Sequence, residues 1–222
     1  MATAQRASIF HSIVFSLSQR VLRALCNTRQ PVAIFAGWED LDELTATLRG
    51  METWNAIRAR RDVRAFTDQR ISDEDLDRIL EAGRRSPSSR NWQPWDFIVV
   101  TDRAQLQDLS RVWRGGGHVA GSAATVALVG PVLADDDPHR RSLWYDLGQA
   151  SMSMMIAAAD LGIGSGHSAV ADQELARTVL GFPSDRLCAY LIPLGYPADR
   201  PLRPIERPDR RPFDTLVHRE RW

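Results

Sequence analysis

Hydrophobic positions after residue 51 follow helical spacing in some stretches and strand-like runs in others. Leu76, Ile79 and Leu80 recur at the spacing of a helix face, and Ser72 is placed to cap the start of that helix. The same reasoning predicts further capped helices that begin after Asp102 and Asp172. Short apolar runs predict strands at residues 97–101, 125–130 and 189–196. Helices alternate with only a few strands, which favours a single α+β domain.

Two of these elements have unusual sequences. Residues 144–161 predict a long helix with few polar positions on any side, which a small monomer cannot bury completely. We therefore expect this helix to lie at a subunit interface. Pro193 interrupts the last predicted strand, which indicates an edge strand or a bulge. From residue 197 onwards the chain is rich in proline and arginine, which predicts an extended C-terminal arm, residues 197–222.

The first fifty residues differ from the rest. No acidic residue occurs before Trp38, and apolar residues recur at helical spacing among arginines, as in a basic amphipathic helix. Such a segment fits a targeting sequence or a surface helix. A second interpretation is a poorly ordered leader, or translated sequence upstream of the true start, because a well-formed domain opens at Met51. We predict an extension over 1–50 and one domain over 51–222.

The composition excludes several function classes. All 28 basic residues are arginine, so enzymes that need a lysine amine are excluded, among them Schiff-base, pyridoxal-phosphate and P-loop enzymes. The formal net charge is zero, which argues against a general nucleic-acid or membrane-surface binder. The cysteines and histidines lack metal-ligand spacing, so no metal site is predicted. Two isolated cysteines and no apolar run of about 18–20 residues indicate a cytoplasmic protein without a membrane span.

Three clusters carry candidate chemistry. The arginine segment, residues 60–64, has three guanidinium groups that suit a phosphate, although a solvated basic turn explains it as well. The polar loop, residues 86–95, combines hydroxyls and amides that can contact a heterocycle edge with prolines that stiffen it. The glycine turn, residues 162–167, allows close approach of a flat ligand to the backbone. It follows a helix and lacks G-x-G-x-x-G, so a Rossmann site is disfavoured.

Together the clusters resemble the nitroreductase family of FMN-dependent oxidoreductases. The matching pattern is R-R-x-x-R-x-F, then P-S-x-x-N-x-Q-P-W, then the small-residue turn and G-Y-P, and it covers about residues 53–222. The resemblance implies a three-layer α+β sandwich, whose central, mostly antiparallel sheet is flanked by helices. It also implies an intertwined homodimer with one FMN in each of two interface clefts.

The resemblance assigns roles residue by residue. It places Arg60, Arg61 and Arg64 on the FMN phosphate and ribityl chain, with Asp62 beside them. It places the following residues of the polar loop around the isoalloxazine and ribityl edges: Pro87, Ser88, Ser89, Asn91 and Gln93. It brings Gly164, Ser165 and Gly166 near flavin N5, and gives Arg210 or Arg211 of the arm a second phosphate contact.

The implied activity is hydride transfer from NAD(P)H through flavin N5 to an electron-poor acceptor, such as a nitroaromatic or quinone. The cycle is ping-pong, and no side chain is assigned an obligatory acid or base role, because the cofactor performs the difficult step. Two alternatives stay open. Asp62 replaces the serine often found there, which is similar to the flavin-destroying branch that makes 5,6-dimethylbenzimidazole. A non-catalytic FMN storage or sensing protein has the same site residues.

Overall fold

The computed structural model describes residues 52–222, and the prediction for residues 1–50 falls outside this part of the chain. The described residues form five α-helices: α1 (Thr53–Ala59), α2 (Asp73–Arg84), α3 (Arg103–Leu109), α4 (Arg140–Asp160) and α5 (Gln173–Leu180). They also form five strands: β1 (Asp96–Val100), β2 (Ala124–Pro131), β3 (Gly164–Ser165), β4 (Ser168–Ala169) and β5 (Arg186–Gly195).

The strands form one antiparallel sheet in the order β1-β2-β5-β3, and β4 also pairs with β5. Its two faces support separate groups of buried side chains. Val126, Leu128 and Ile192 pack with residues of α2 and α4 on one face. Ala127 and Leu191, which alternate with them along the strands, pack with residues of α3 and α5 on the other. The predicted three-layer α+β architecture is confirmed.

Pro193 lies in the central strand β5, so the prediction of an edge strand is wrong. Its carbonyl accepts a hydrogen bond from the Gly166 amide at 3.0 Å. In an antiparallel pair the N–H and C=O of one residue face the same neighbour, so the missing proline N–H faces residues 166–167. There the neighbouring strand is interrupted between β3 and β4. The proline is tolerated because that side of the ladder is already broken.

Three predicted caps are present, since the side chains of Ser72, Asp102 and Asp172 accept hydrogen bonds from amides at the starts of α2, α3 and α5. Helix α1 has no such cap, because Glu52 stands at its cap position and makes no side-chain hydrogen bond there. Helix α4 begins four residues before Trp144, where the predicted helix starts. The prediction missed this first turn because it is mostly polar. None of the described helices is both long and apolar enough to cross a membrane.

Candidate active site

Two of the three predicted clusters are joined in the structure. The amide of Val63 donates to the Ser165 carbonyl at 2.9 Å, and Asp62 pairs with Ser165 in a parallel bridge. The glycines make this contact possible. A Cβ on Gly164 would lie 2.7 Å from the Val63 side chain, and a Cβ on Gly166 would lie 2.8 Å from the Val63 carbonyl oxygen. The arginine segment therefore docks on the glycine turn because no side chains separate the two backbones.

The chain that follows β5 holds the same region from the other side. The Thr67 amide donates to the Tyr196 carbonyl and the Ala198 amide to the Ala65 carbonyl, both at 2.9 Å. Further along, the Ile205 amide donates to the Arg58 carbonyl at 3.1 Å. The start of the C-terminal arm is thus extended along residues 58–67.

The three guanidinium groups of the arginine segment are in different situations. Arg61 binds the Asp199 carboxylate at 2.7 Å and the Arg200 carbonyl at 2.8 Å, and only 14% of its side chain is exposed. Arg60 forms an ion pair with Asp62 at 3.1 Å. Arg64 is exposed. Arg61 therefore fastens the arm in this structure, whereas Arg60 and Arg64 are the guanidinium groups better placed for a ligand.

Asp62 also begins a chain of polar contacts that leads to α4. Its carboxylate lies 3.9 Å from His167 Nδ1, and His167 Nε2 is 2.9 Å from the hydroxyl of Ser151. The same residue types form the triad of serine hydrolases, which requires an accessible hydroxyl. Ser151 is buried in the middle of α4, so these contacts do not make a nucleophile.

The environment of His167 favours its neutral form. Burial lowers the pKa of the imidazole, the Asp62 carboxylate acts against this, and the Arg60 guanidinium lowers the pKa further. His118 Nε2 lies 3.2 Å from the His167 carbonyl oxygen, and the ring of Tyr190 meets the imidazole edge-on at 6.1 Å between centroids. His167 is consequently held in one place by three different elements.

The polar loop is organised by α4 and by its own turns. The Ser89 amide donates to the buried carboxylate of Asp146 at 2.9 Å. The Ser88 hydroxyl accepts from the Gln93 amide at 2.9 Å, which closes the loop. Asn91 and Gln93 both have φ values in the left-handed region, 59° and 53°. Such a conformation is uncommon for a residue other than glycine, and it marks the loop as a tightly specified structure.

A pocket of about 470 Å³ lies between this loop and the first half of α4. The residues that line it are Pro87, Ser88, Ser89, Arg141, Ser142, Tyr145, Asp146 and Gln149. Sequence reasoning found the three loop residues and missed the five residues of α4. The signal was present, because a carboxylate and an amide three residues apart interrupt the otherwise largely apolar stretch from residue 143 to residue 150.

Within one chain α4 separates the polar loop from the other two clusters. Residues 146, 149 and 153 all bond to the polar loop, whereas Ser151 bonds to His167 of the glycine turn. Successive helical residues are rotated by about 100°, so Ser151 lies on roughly the opposite side of α4 from the other three. The structure thus brings together the arginine segment and the glycine turn, and leaves the polar loop across the helix.

Other predicted site residues have local contacts only. Arg210 donates to the carbonyl of Asp209 and Arg211 to the carbonyl of Thr215, so their contacts in the described chain stay within the C-terminal arm. The Gly166 amide is already bound to Pro193. The roles predicted for Arg210, Arg211 and the glycine turn in FMN binding stay predictions.

Comparison with known proteins identifies a family model and relatives that match this chain. The model of the nitroreductase family matches residues 57–131. A protein of Archaeoglobus fulgidus, provisionally described as an NADH dehydrogenase/NAD(P)H nitroreductase, is 33% identical over 77% of this chain and 99% of its own length. The FMN reductase [NAD(P)H] of Bacillus subtilis is 28% identical over 77% of this chain and 74% of its own.

Solved structures agree with the sequence comparison. Nitroreductase A of Vibrio parahaemolyticus superposes with a TM-score of 0.68 at 25% identity, over 78% of this chain and 77% of that one. The fold of the NADPH:FMN oxidoreductase of Vibrio harveyi is similar, with a TM-score of 0.65 over 75% and 76% of the two chains at 24% identity. With the docked arginine segment, the strained polar loop and a relative matched along almost its entire length, the chain belongs to the nitroreductase family.

Proposed function

We propose that this chain is an FMN-dependent oxidoreductase that takes hydride from NAD(P)H and passes it to an electron-poor small molecule in a ping-pong cycle. Bound FMN supplies the hydride-accepting and hydride-donating chemistry. The protein binds and orients the cofactor and gives its edges polar partners. The observation that carries the proposal is the docking of Asp62 and Val63 on Ser165, which joins the guanidinium groups to the glycine turn.

The donor set at this junction fits a flavin mononucleotide. Arg60 and Arg64 flank the bridge, and arginine binds phosphate through two parallel hydrogen bonds. The absence of side chains at Gly164 and Gly166 lets the arginine segment dock closely, which brings its guanidinium groups beside the glycine turn. The polar loop adds hydroxyl and amide groups of the kind that contact heterocycle edges.

We further propose that the complete site forms in a homodimer, because one chain alone leaves the polar loop across α4 from the junction. The helix has an exposed stripe of suitable character, formed by Tyr145, Gly148 and Met152. A Cβ on Gly148 would meet nothing within 4 Å in its own chain, so this position leaves room for close packing of a second helix. In the proposed dimer, a second chain packed on this stripe would contribute its polar loop to the first chain's junction.

The choice of electron donor follows the relatives, whose names include an NAD(P)H nitroreductase and an FMN reductase. The pocket beside the polar loop has both apolar and polar walls and a volume of about 470 Å³, which suits a small aromatic acceptor. Nitroaromatics and quinones are the acceptor classes that we propose.

The first test is an absorption spectrum of the purified full chain before and after anaerobic addition of NADPH or NADH. We expect a yellow protein that bleaches and recovers its colour when a nitroaromatic is added. A yellow protein that neither nucleotide bleaches contradicts the reductase and favours FMN storage or sensing. Consumption of the flavin in air with a benzimidazole product favours the flavin-destroying alternative. A colourless protein that FMN cannot reconstitute contradicts FMN binding altogether.

A mixing experiment tests whether two chains share each site. One variant carries Arg60→Ala and Arg64→Ala, and the other carries Ser88→Ala and Gln93→Ala in the polar loop. If each site combines the junction of one chain with the loop of the other, a mixed dimer regains one intact site of its two. Random mixing then restores FMN to about a quarter of all sites. If every site is built within one chain, mixing restores none.

A further inference from the structure

We propose that Asp62 exchanges Arg60 for His167 when Arg60 binds the phosphate of FMN, so that FMN binding takes up a proton at His167. This makes His167 a positioning residue for the cofactor site, acting through Asp62. The proposal rests on the proposed function, since it concerns the same site and the same ligand.

The geometry places one carboxylate between two possible partners. Oδ1 of Asp62 is 3.1 Å from Arg60 Nη1 and 3.9 Å from His167 Nδ1. Because Asp62 is about half exposed, with 45% of its side chain accessible, it has room to rotate. A movement of about 1 Å brings the carboxylate within hydrogen-bond distance of the imidazole. The exchange therefore needs no rearrangement of the backbone.

His167 cannot move to meet the carboxylate as easily, because its ring and backbone are fixed. Nε2 is bonded to Ser151 Oγ at 2.9 Å, and the carbonyl oxygen lies 3.2 Å from His118 Nε2. The hydroxyl of Ser151 accepts as well as donates, so it remains a partner for a protonated Nε2. Nδ1 is left facing Asp62, and the imidazolium form has a partner at each nitrogen.

Phosphate binding supplies the reason for the exchange. Arg60 has to direct its N–H groups to the phosphate, which takes from Asp62 the cation that it pairs with in the structure. An unpaired carboxylate next to a phosphate dianion is unfavourable. A protonated His167 restores the balance of charge. The charged and titratable groups that face His167 from the described elements are Asp62, Arg60, His118 and Tyr190.

The direction of the pH effect follows from this arrangement. Burial and the Arg60 guanidinium lower the pKa of His167, whereas the Asp62 carboxylate raises it. When phosphate draws the guanidinium away and Asp62 approaches, the pKa of His167 rises on binding. A group whose pKa rises in the complex adds affinity at low pH, and this gain disappears as pH rises through the pKa of the complex. Each unit of rise gives about a tenfold gain in affinity at low pH.

The test is calorimetric titration of the flavin-free full chain with FMN at pH 7, in two phosphate-free buffers of different ionisation enthalpy. The heat difference gives the number of protons taken up. Free phosphate monoesters are mainly dianionic at this pH, their second pKa being about 6, so the ligand contributes little. We expect net uptake of a fraction of a proton by the parent and close to none by His167→Gln. Riboflavin, which lacks the phosphate, should cause no uptake in the parent.

Two further measurements ensure that the test does not rest on the His167→Gln variant alone. Asp62→Asn removes the exchanging carboxylate while His167 stays, and it too should lose the proton uptake. The NMR signal of His167 should titrate at higher pH with FMN than without it. Equal uptake in parent and His167→Gln, or FMN binding by the parent without uptake, overturns this proposal and leaves the proposed function intact. Failure of the parent to bind FMN overturns both.

Discussion

The arginine segment and the polar loop both carry several polar side chains, yet different contacts hold them in place. The arginine segment is fixed by backbone docking on the glycine turn and by the C-terminal arm. The residues that bond to it from these two segments are 100 residues or more away in sequence. The polar loop is fixed by its own turns and by α4, mainly through Asp146. One region depends on distant glycines, and the other depends on polar side chains of one helix, among which the buried Asp146 carboxylate is the main partner.

This difference bears on how a shared ligand site is built. The junction of the arginine segment and the glycine turn is completed within one chain, so its cationic end does not depend on the polar loop. The polar loop is held by separate contacts on the other side of α4, and its pocket lies between the loop and that helix. In the dimer that we propose, each half of the site is fixed within its own chain, and the site is complete only when two chains combine.

The largest effect should come from removing the phosphate partners. We expect Arg60→Ala and Arg64→Ala each to weaken FMN binding about 10- to 100-fold, since a hydrogen bond to a charged group contributes about 1.5–3 kcal/mol. Fluorescence titration of the flavin-free chain measures this. Arg84→Ala is the matched control, because Arg84 binds only Glu81 in the described chain and should leave affinity unchanged. Equal losses in all three variants would contradict the phosphate assignment.

The next effect tests the backbone docking. Gly166→Ala places a Cβ 2.8 Å from the Val63 carbonyl oxygen, so the arginine segment has to move. We expect the free energy of unfolding to fall by about 1–3 kcal/mol and FMN affinity to fall with it. Urea unfolding at fixed protein concentration measures the first. Gly117→Ala is the control, since a Cβ there meets nothing within 4 Å, and parent-like behaviour of both variants would refute the docking argument.

A smaller effect tests the polar loop. Asp146→Ala removes the acceptor of the Ser89 amide and should cost about 1 kcal/mol, because Ser89 is exposed and water can replace the carboxylate as the partner of its amide. Hydrogen exchange of the Ser89 amide should accelerate while that of Val63 stays unchanged. Asp135→Ala removes an exposed ion pair with Arg140 and serves as the control. Faster exchange at Val63 as well would show that the two regions are not independent.

The smallest effect concerns Glu81, which receives hydrogen bonds from Arg84 and Arg85 just before the polar loop. These arginines lower the pKa of Glu81 from 4.5 to about 2. A carboxyl whose pKa is lowered by folding stabilises the protein above pH 4.5, and this contribution is lost as pH falls towards 2. Parent and Glu81→Gln should therefore differ slightly at pH 6 and converge near pH 2. High salt should reduce the difference, since the pair is exposed, and a difference that persists at pH 2 would contradict this explanation.

Local signals made several predictions reliable. The caps at Ser72, Asp102 and Asp172 and the buried strand around residues 125–130 are short-range features, and the structure contains them. The prediction that Pro193 lies in an edge strand was wrong, because the position of a strand in the sheet depends on which distant segments pair with that strand. The importance of Asp146 was missed because its partner, the Ser89 amide, is 57 residues away in sequence.

The sequence by itself determined the element types, the class of fold and the residue types available for an anion site, because caps, periodicity and composition act over a few residues. Its motifs also carried the resemblance to the nitroreductase family. Only the tertiary structure decided that the arginine segment meets the glycine turn, that Arg61 serves the arm, and that Asp62 stands between Arg60 and His167. Those outcomes depend on backbone approach and side-chain distances between segments that lie about a hundred residues or more apart in the chain, which no local pattern specifies.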